Sequence, residues 1–241
     1  MKISGFRAAF VGVALSASAA LAPAASASGP DTGRPFSWTG LYLGVHAGAG
    51  WGDTSWTGPA AFYGVTTFGT EPDEAVFGGQ LGYNFQSGNW VFGIEVTYSG
   101  RTLKETVVGP VAVFPADRFT TEVNDMFTAT GRIGFASKDV LLYARGGYAS
   151  ADVRLSGISG PPVAGTTFNT SERLDGWTVG GGVEYKILRN VVVGVEYNFT
   201  ALGGTRYTTL TGGTTPGIPL TIDLGDTDIH TVTGRLSILL N

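Results

Sequence analysis

The strongest constraint on the fold of this chain is an alternation of apolar and polar residues with a period of two. This period places successive side chains on opposite faces of a β-strand. In the first such segment, Leu41, Leu43 and Val45 share one face, and Tyr42 and His46 lie on the other. The pattern predicts eight strands, at residues 40–51, 75–86, 90–101, 123–136, 140–152, 175–187, 191–202 and 229–241.

The connections between these segments alternate regularly between long and short. The long ones are residues 52–74, 102–121, 153–174 and 203–228, and the short ones centre on 87–89, 137–139 and 188–190. A meander with tight turns at one end and long hairpins at the other is typical of outer-membrane barrels, whose short turns are periplasmic. The sequence therefore predicts an all-β, eight-stranded antiparallel transmembrane barrel with an up-and-down meander.

Period two alone does not say which face points outward, so a soluble lipocalin-like barrel with an apolar interior is the alternative. Aromatic residues on the apolar face lie near strand ends, as in the interfacial girdles of membrane barrels. These are Trp51, Phe85, Trp90, Tyr98, Phe135, Trp177, Tyr185 and Phe199. The opposite face carries mainly Gly, Thr and Asn with few charges, which is too sparse for a solvated exterior. Both features favour the membrane barrel.

The N-terminal segment has the features of an export signal. Lys2 and Arg7 precede an apolar stretch, residues 8–21, which leads into Ala25-Ser26-Ala27. This order predicts a signal peptide over 1–27, followed by a short periplasmic arm at 28–39 and the barrel domain at 40–241. A membrane anchor is the competing interpretation, but the stretch is mostly Ala, Ser and Gly, whereas a spanning helix needs about 20 strongly apolar residues.

Composition excludes several classes of function. The chain has no Cys, which removes disulfides, thiolate zinc sites and cysteine nucleophiles. Its net charge of -4 and scattered Lys and Arg argue against nucleic acid as a partner. With 38 Gly among 241 residues and only 14% charged residues, it does not resemble a helical soluble enzyme.

No catalytic, cofactor or metal site is predicted from the remaining residues. His46 and His230 are the only histidines, and neither can be placed beside a nucleophile from the sequence. Asp223, Asp226 and Asp228 lack EF-hand spacing and are interpreted as a solvated loop face.

The polar face contains one prominent polar residue per strand, about six residues from the tight-turn end of each. These residues are His46, Gln80, Glu95, Arg132, Arg145, Glu184, Glu196 and Arg235. A narrow barrel interior is poor in water, so each charge must find a partner or cost several kcal/mol. We predict that the three acids and three arginines pair into a structural network that closes the lumen. A gate that opens when the pairs rearrange is the functional alternative.

Several stretches resemble the small outer-membrane proteins of alphaproteobacteria, often called outer-membrane immunogenic or porin-family proteins. They are Phe36-Ser37-Trp38-Thr39-Gly40-Leu41-Tyr42-Leu43-Gly44, the Gly-Gly-Val-Glu-Tyr run at 181–185, the Val-Gly-Val-Glu-Tyr run at 193–197 and His-Thr-Val at His230. The resemblance implies a cell-surface barrel of a Gram-negative bacterium that contributes to envelope integrity. It implies as partners outer-membrane lipids and lipopolysaccharide, periplasmic chaperones and the barrel-assembly machinery. One departure is the ending Leu239-Leu240-Asn241, where members typically end in an aromatic residue that this machinery recognises.

The expected function is therefore structural rather than enzymatic. Two alternatives stay open: a passive pore for ions or very small solutes, and an adhesin or ligand receptor that uses the long loops. The interior of an eight-stranded barrel is about filled by its side chains, which disfavours a wide channel. The composition of the loops names no ligand.

Overall fold

The computed structural model describes residues 37–57, 67–70, 73–108, 118–158, 166–210, 212–213, 217 and 219–240. The strands are β1 (Gly40–Thr57), β2 (Thr67–Thr70), β3 (Asp73–Ser87), β4 (Trp90–Val108), β5 (Arg118–Ser137), β6 (Val140–Ile158), β7 (Thr166–Lys186), β8 (Val191–Leu202), β9 (Thr205–Leu210), β10 (Gly212–Gly213) and β11 (Pro219–Leu240). Among the described residues, no helix is long and apolar enough to cross a membrane.

Eight of the strands close into an antiparallel barrel, as predicted. Their order is β1-β3-β4-β5-β6-β7-β8-β11, and β11 pairs with β1 to complete the circle. The closing register sets Leu41 opposite Leu240 and His46 opposite Arg235. The short strands β2, β9 and β10 extend this sheet by pairing with β1, β11 and β7.

The apolar face of the barrel points outward and the polar face points into the lumen. Ile94 is 69% exposed and Val195 is 60% exposed, whereas Glu95 is 2% exposed. A continuous apolar exterior is unstable in water and suits the hydrocarbon region of a membrane. The soluble lipocalin-like alternative, with an apolar interior, is therefore wrong.

The aromatic residues predicted to form girdles lie on the outer surface. Seven of them are exposed, and Phe199 is half-buried. Trp90 packs edge-to-face against Phe135 near one end of the barrel, and Trp177 packs similarly against Phe199 near the other. These contacts are consistent with interfacial anchors at both membrane surfaces.

The strands continue well into the segments predicted as long loops, so those loop boundaries are wrong. β4 runs to Val108 and β5 begins at Arg118, and their ladder still pairs Val108 with Arg118. The ladder needs only backbone groups, so it continues beyond the apolar band, where side-chain alternation no longer marks it. The register shifts between Gly100 and Leu103 mark the start of this extension on β4.

The lumen is closed by apolar side chains at its tight-turn end. One buried cluster there consists of Trp38, Tyr42, Val91, Ala136, Leu141, Tyr143, Val192 and Leu239. Towards the long-hairpin end, a second set of apolar residues is buried on the inward face: Val76, Met126, Ala151, Leu174, Leu202 and Ile229. The polar centre of the barrel therefore lies between two apolar layers.

Candidate functional site

The centre of the lumen contains a ring of four charged side chains. Arg145 Nη1 lies 2.7 Å from Glu95 Oε1 and 2.8 Å from Glu196 Oε1. Arg235 donates to the second oxygen of each of these carboxylates, Glu95 Oε2 and Glu196 Oε2. All four residues are buried. The two arginines thus bridge the same two glutamates and form a neutral closed ring.

A second ion pair lies one step nearer the tight-turn end. Arg132 contacts Glu184 through both terminal nitrogens, at 3.1 and 3.3 Å, and its Nε donates to Asn84 Oδ1 at 2.9 Å. The guanidinium carbon lies 4.7 Å from the Tyr42 ring centroid and 5.0 Å from that of Tyr143. Glu184 and Asn84 thus accept hydrogen bonds from all three guanidinium nitrogens, and the two tyrosine rings make cation–π contacts with the same group.

Two tyrosines connect the ring with this second pair. Tyr42 donates from its hydroxyl to Glu95 Oε2 at 2.7 Å, and Tyr143 donates to Glu196 Oε2 at 2.5 Å. The ring and the second ion pair, with these tyrosines, are called the charge cluster below.

Each of the two tyrosines occupies space left by a glycine on the neighbouring strand. A Cβ added at Gly82 would lie 2.3 Å from the Tyr42 hydroxyl, and one at Gly182 would lie 2.7 Å from the Tyr143 hydroxyl. The high glycine content of the inward face therefore makes room for long polar side chains that cross the lumen.

The structure brings together all six charged residues that the sequence singled out. Glu95 and Arg132 lie 3.9 Å apart, and each has closer partners among the other charged residues. Sequence reasoning missed Tyr42, Tyr143 and Asn84 as members. The alternation along the strands places these residues on the inward face, but it does not show which residues of other strands they bind.

His46 and Gln80, the two uncharged members of the predicted set, form a separate hydrogen-bond chain. His46 Nδ1 lies 2.8 Å from Gln80 Oε1, and His46 Nε2 lies 3.0 Å from Ser99 Oγ. The amide nitrogen of Gln80 donates to the Val45 carbonyl oxygen at 3.3 Å, which can only accept, so Gln80 Oε1 is the acceptor in the contact with His46. In the neutral imidazole, His46 then carries its proton on Nδ1, and Ser99 donates to Nε2.

This Ser-His-Gln chain has the hydrogen-bond order of a nucleophile, a base and an orienting group. It borders a cavity of about 30 Å³, which is room for about two water molecules. Ligand sites for small molecules are roughly ten times larger. These hydrogen bonds therefore orient His46 in the packed lumen, and the cavity is too small for a small-molecule substrate.

The same cavity is bordered by residues with buried polar atoms that have no hydrogen-bond partner within the protein. These atoms are Arg145 Nε, Arg235 Nε and Asn198 Oδ1. Water molecules are the ligands that a space of this size and polarity accepts.

The tight-turn end of the lumen is covered by residues that the sequence assigned to the periplasmic arm. Trp38 is 1% exposed, and its backbone N–H donates to Gln86 Oε1 at 2.7 Å. Lys186 Nζ donates to the Ser37 carbonyl oxygen at 2.6 Å and lies 4.4 Å from the Trp38 ring centroid. The end of the arm is thereby fixed across the barrel mouth, while its residues 28–36 lie outside the described part of the chain.

The described residues contain no group of three or more His, Asp or Glu side chains that could hold a metal ion. Of the three aspartates interpreted as a loop face, Asp226 and Asp228 are exposed on β11. Asp226 Oδ1 accepts the Gly204 N–H at 3.0 Å, which is a loop-stabilising contact. The side chain of Asp223 lies outside the described part.

Comparison with known proteins gives a family match over most of the chain. Residues 11–215 match the family described as "Outer membrane protein beta-barrel domain". The 31 kDa outer-membrane immunogenic protein of Brucella melitensis is 29% identical over 196 residues, which cover 75% of this chain and 77% of that protein. The 22 kDa outer membrane protein of Rhizobium leguminosarum bv. viciae is 31% identical over 168 residues, which cover 68% of this chain and 64% of that protein.

Solved structures give a more distant likeness. The outer membrane protein OprG from Pseudomonas aeruginosa matches with a TM-score of 0.46 and 7% identity, over 84% of this chain and 97% of that one. This degree of likeness carries no information on function.

Proposed function

Since this chain belongs to the outer membrane protein β-barrel domain family, we propose that it is a structural surface barrel that contributes to the integrity of the bacterial envelope. Its location in the outer membrane follows from the family and from relatives that are themselves outer-membrane proteins. The tight turns then face the periplasm, and the long hairpins face the outside.

The observation that supports a structural role is the filled lumen. A permeating ion would have to pass the buried apolar cluster around Trp38 and then the ring of Glu95, Arg145, Glu196 and Arg235. Separating a buried ion pair leaves charges without partners, at a cost of about 3–5 kcal/mol for each broken pair. These features support a structural role in the membrane rather than a passive pore.

The gate and adhesin alternatives gain less support. A gate would need several ion pairs to separate together, because every member of the ring has two partners in it. An adhesin would use hairpin tips, which fall largely on residues 58–66, 109–117 and 159–165, outside the described part of the chain.

Export and assembly belong to the same proposal. We infer cleavage of the signal peptide after Ala27, which leaves residues 28–39 as the arm and 40–241 as the barrel. Periplasmic chaperones and the barrel-assembly machinery are the proposed partners during transit, and lipopolysaccharide and other outer-membrane lipids surround the folded protein. Residues 1–36, which include the proposed cleavage site, lie outside the described part.

A deletion strain tests the proposed envelope role. We expect loss of the protein to raise sensitivity to detergent and to release periplasmic marker enzymes, with both effects reversed by the wild-type chain and by Gly131→Ala, a change on the outer surface. Unchanged sensitivity and unchanged leakage in the deletion strain would contradict the proposal.

A further inference from the structure

Two short sequence patterns each occur once in the first half of the barrel and once in the second. The first runs from the tight turn into a strand and reads Asn-Trp-Val-Phe-Gly-Ile-Glu at 89–95 and Asn-Val-Val-Val-Gly-Val-Glu at 190–196. The second reads Thr-Ala-Thr-Gly-Arg at 128–132 and Thr-Val-Thr-Gly-Arg at 231–235. The patterns end on four members of the charge cluster.

The structure places the repeated residues in equivalent registers. In the first half, Tyr42 faces Gly82 and Gly82 faces Glu95, and Gly93 faces Arg132. In the second half, the corresponding pairs are Tyr143 with Gly182, Gly182 with Glu196, and Gly194 with Arg235.

The hydrogen bonds repeat as well. Each tyrosine donates to the glutamate that lies 53 residues further along the chain, Tyr42 to Glu95 and Tyr143 to Glu196. Each hydroxyl lies over the glycine between them. A recurrence of residue type, register and hydrogen bond together is not required by an alternating meander, which needs only apolar and polar residues in turn.

We infer that the barrel consists of two copies of one four-stranded unit, each of which fits a second unit of the same kind along two seams. The first unit comprises β1, β3, β4 and β5, and the second comprises β6, β7, β8 and β11. The seams are the ladders β5–β6 and β11–β1. The partner surface of each unit is therefore its two edge strands together with its inward charges.

Ion pairs across the lumen hold the two units together. The first unit supplies Glu95 and Arg132 to the charge cluster, and the second supplies two glutamates and two arginines, so each contribution is neutral. Glu95 binds Arg145 and Arg235 of the second unit, and Arg132 binds Glu184 of that unit. Complementary charges in a water-poor interior fix which surfaces meet and in what register.

The two units have diverged at identifiable positions. Two residues after the repeated tyrosine, the first unit has Gly44 and the second has Arg145; two residues after the repeated glycine, the first has Asn84 and the second has Glu184. The seams also differ, because Arg132 faces Arg145 in one and Arg235 faces His46 in the other. The second unit thus has an arginine and a glutamate at the two positions where the first unit has Gly44 and Asn84.

Circular permutation tests the division into units. In each permutant, Asn241 is joined directly to Ser28, so that the arm residues serve as the connection, and one tight turn is opened. The test permutant begins at Asp139 and ends at Lys138, which leaves both units intact. Two matched controls begin at Asn89 and at Asn190. The first control divides the first unit and the second control divides the second unit, and each places most of the chain between the tyrosine and the glutamate of the divided unit.

The folded fraction after refolding into detergent micelles, read from heat-modified gel mobility, is compared with that of the unpermuted chain 28–241. We expect the folded fraction of the test permutant to lie within about twofold of the reference. The folded fraction of each control should be about fivefold smaller, because contacts between residues far apart in the chain slow folding. Equal folded fractions in all three permutants, high or low, would overturn the inference.

A second measurement does not depend on chain connectivity. Tyr42→Phe and Tyr143→Phe each remove the hydrogen bond to the glutamate of their own unit, and Tyr143→Phe also removes the one that its hydroxyl accepts from Arg235 at 3.2 Å. We therefore expect both variants to lower the unfolding midpoint, Tyr143→Phe by the larger shift. A shift for one variant and none for the other would overturn the equivalence of the units.

Discussion

Arg132 is the residue of the charge cluster that best shows how much a buried charge depends on its partner. Its guanidinium binds Glu184, Asn84 and the faces of two tyrosine rings. We expect Arg132→Met or Glu184→Leu alone to lower the free energy of unfolding by about 3–5 kcal/mol, because either change leaves a buried charge without its main partner. The double variant should lose less than either single variant, as measured by urea unfolding in micelles.

An exposed ion pair provides the control for that measurement. Arg173 Nε lies 3.3 Å from Asp152 Oδ1, with side chains 65% and 41% exposed. Arg173→Met should change the free energy of unfolding by no more than about 1 kcal/mol. Additive losses for Arg132→Met and Glu184→Leu would contradict the pairing described for the lumen.

Glycines on the two faces of the barrel should respond differently to the same substitution. A Cβ at Gly82 would lie 2.3 Å from the Tyr42 hydroxyl and 2.7 Å from the Ile94 carbonyl oxygen, whereas the nearest atom to a Cβ at Gly131 is 4.0 Å away. We expect Gly82→Ala to destabilise the barrel by about 1–3 kcal/mol, because the tyrosine and backbone must shift. Gly131→Ala should be tolerated, and equal losses in thermal unfolding would contradict this account.

The alternation along the strands was enough to place the six charged residues on the inward face, but it did not identify their partners. The alternation assigns Glu95 and Arg132 to one face, and a water-poor interior requires them to be paired. It cannot say that Arg132 pairs with Glu184 on another strand, since that depends on strand stagger and on the space above particular glycines. Lys186 was overlooked because it lies near the barrel end, where the pattern suggests a solvated residue.

Among the elements of the fold, the arm contributes the side chain of Trp38 to the packing at the barrel end. Its ring is buried in the apolar cluster at the periplasmic end and lies beneath Lys186. We expect Trp38→Ala to lower the free energy of unfolding by about 3–5 kcal/mol, through lost burial and the cavity left behind. Trp38→Phe, which keeps an aromatic ring there, should lose clearly less in the same urea titration. Equal stability of Trp38→Ala and the wild type would contradict the sealing role.

The alternation of apolar and polar residues predicts the bounds of some strands correctly and those of others too short. β8 has the predicted bounds, residues 191–202, because it ends where its apolar face ends. β6 extends to Ile158 because its backbone continues to pair with β7, for instance Val153 with Glu172, where neither face needs to be apolar.

These extensions have a measurable consequence. Amide hydrogens at residues 153–158 should exchange more slowly than those of an unfolded chain and faster than those in the membrane-spanning part of β6, because a solvated ladder opens locally. Hydrogen exchange of the refolded barrel measures this order. Exchange at the rate of an unfolded chain would mean that these residues form a loop.

At the scale of the whole molecule, the barrel inverts the polarity of a soluble protein. Its exterior band is apolar, and its centre holds three acids and three arginines between two apolar layers. The sequence predicted the topology because the long and short connections alternate. It could not predict that the polar centre lies between two apolar layers, because that depends on which inward side chains lie at the same level along the barrel axis.

The lumen of the folded barrel is closed, and single-channel recording in planar lipid bilayers measures that closure. Purified, refolded protein should insert and give no conductance steps at neutral pH, because the Trp38 cluster and the ring of Glu95, Arg145, Glu196 and Arg235 block the lumen. The cavity beside the ring measures about 30 Å³. Insertion is verified in the same preparation by protease protection of the membrane-spanning strands. Reproducible conductance steps from the wild-type protein would contradict a closed lumen and favour a pore.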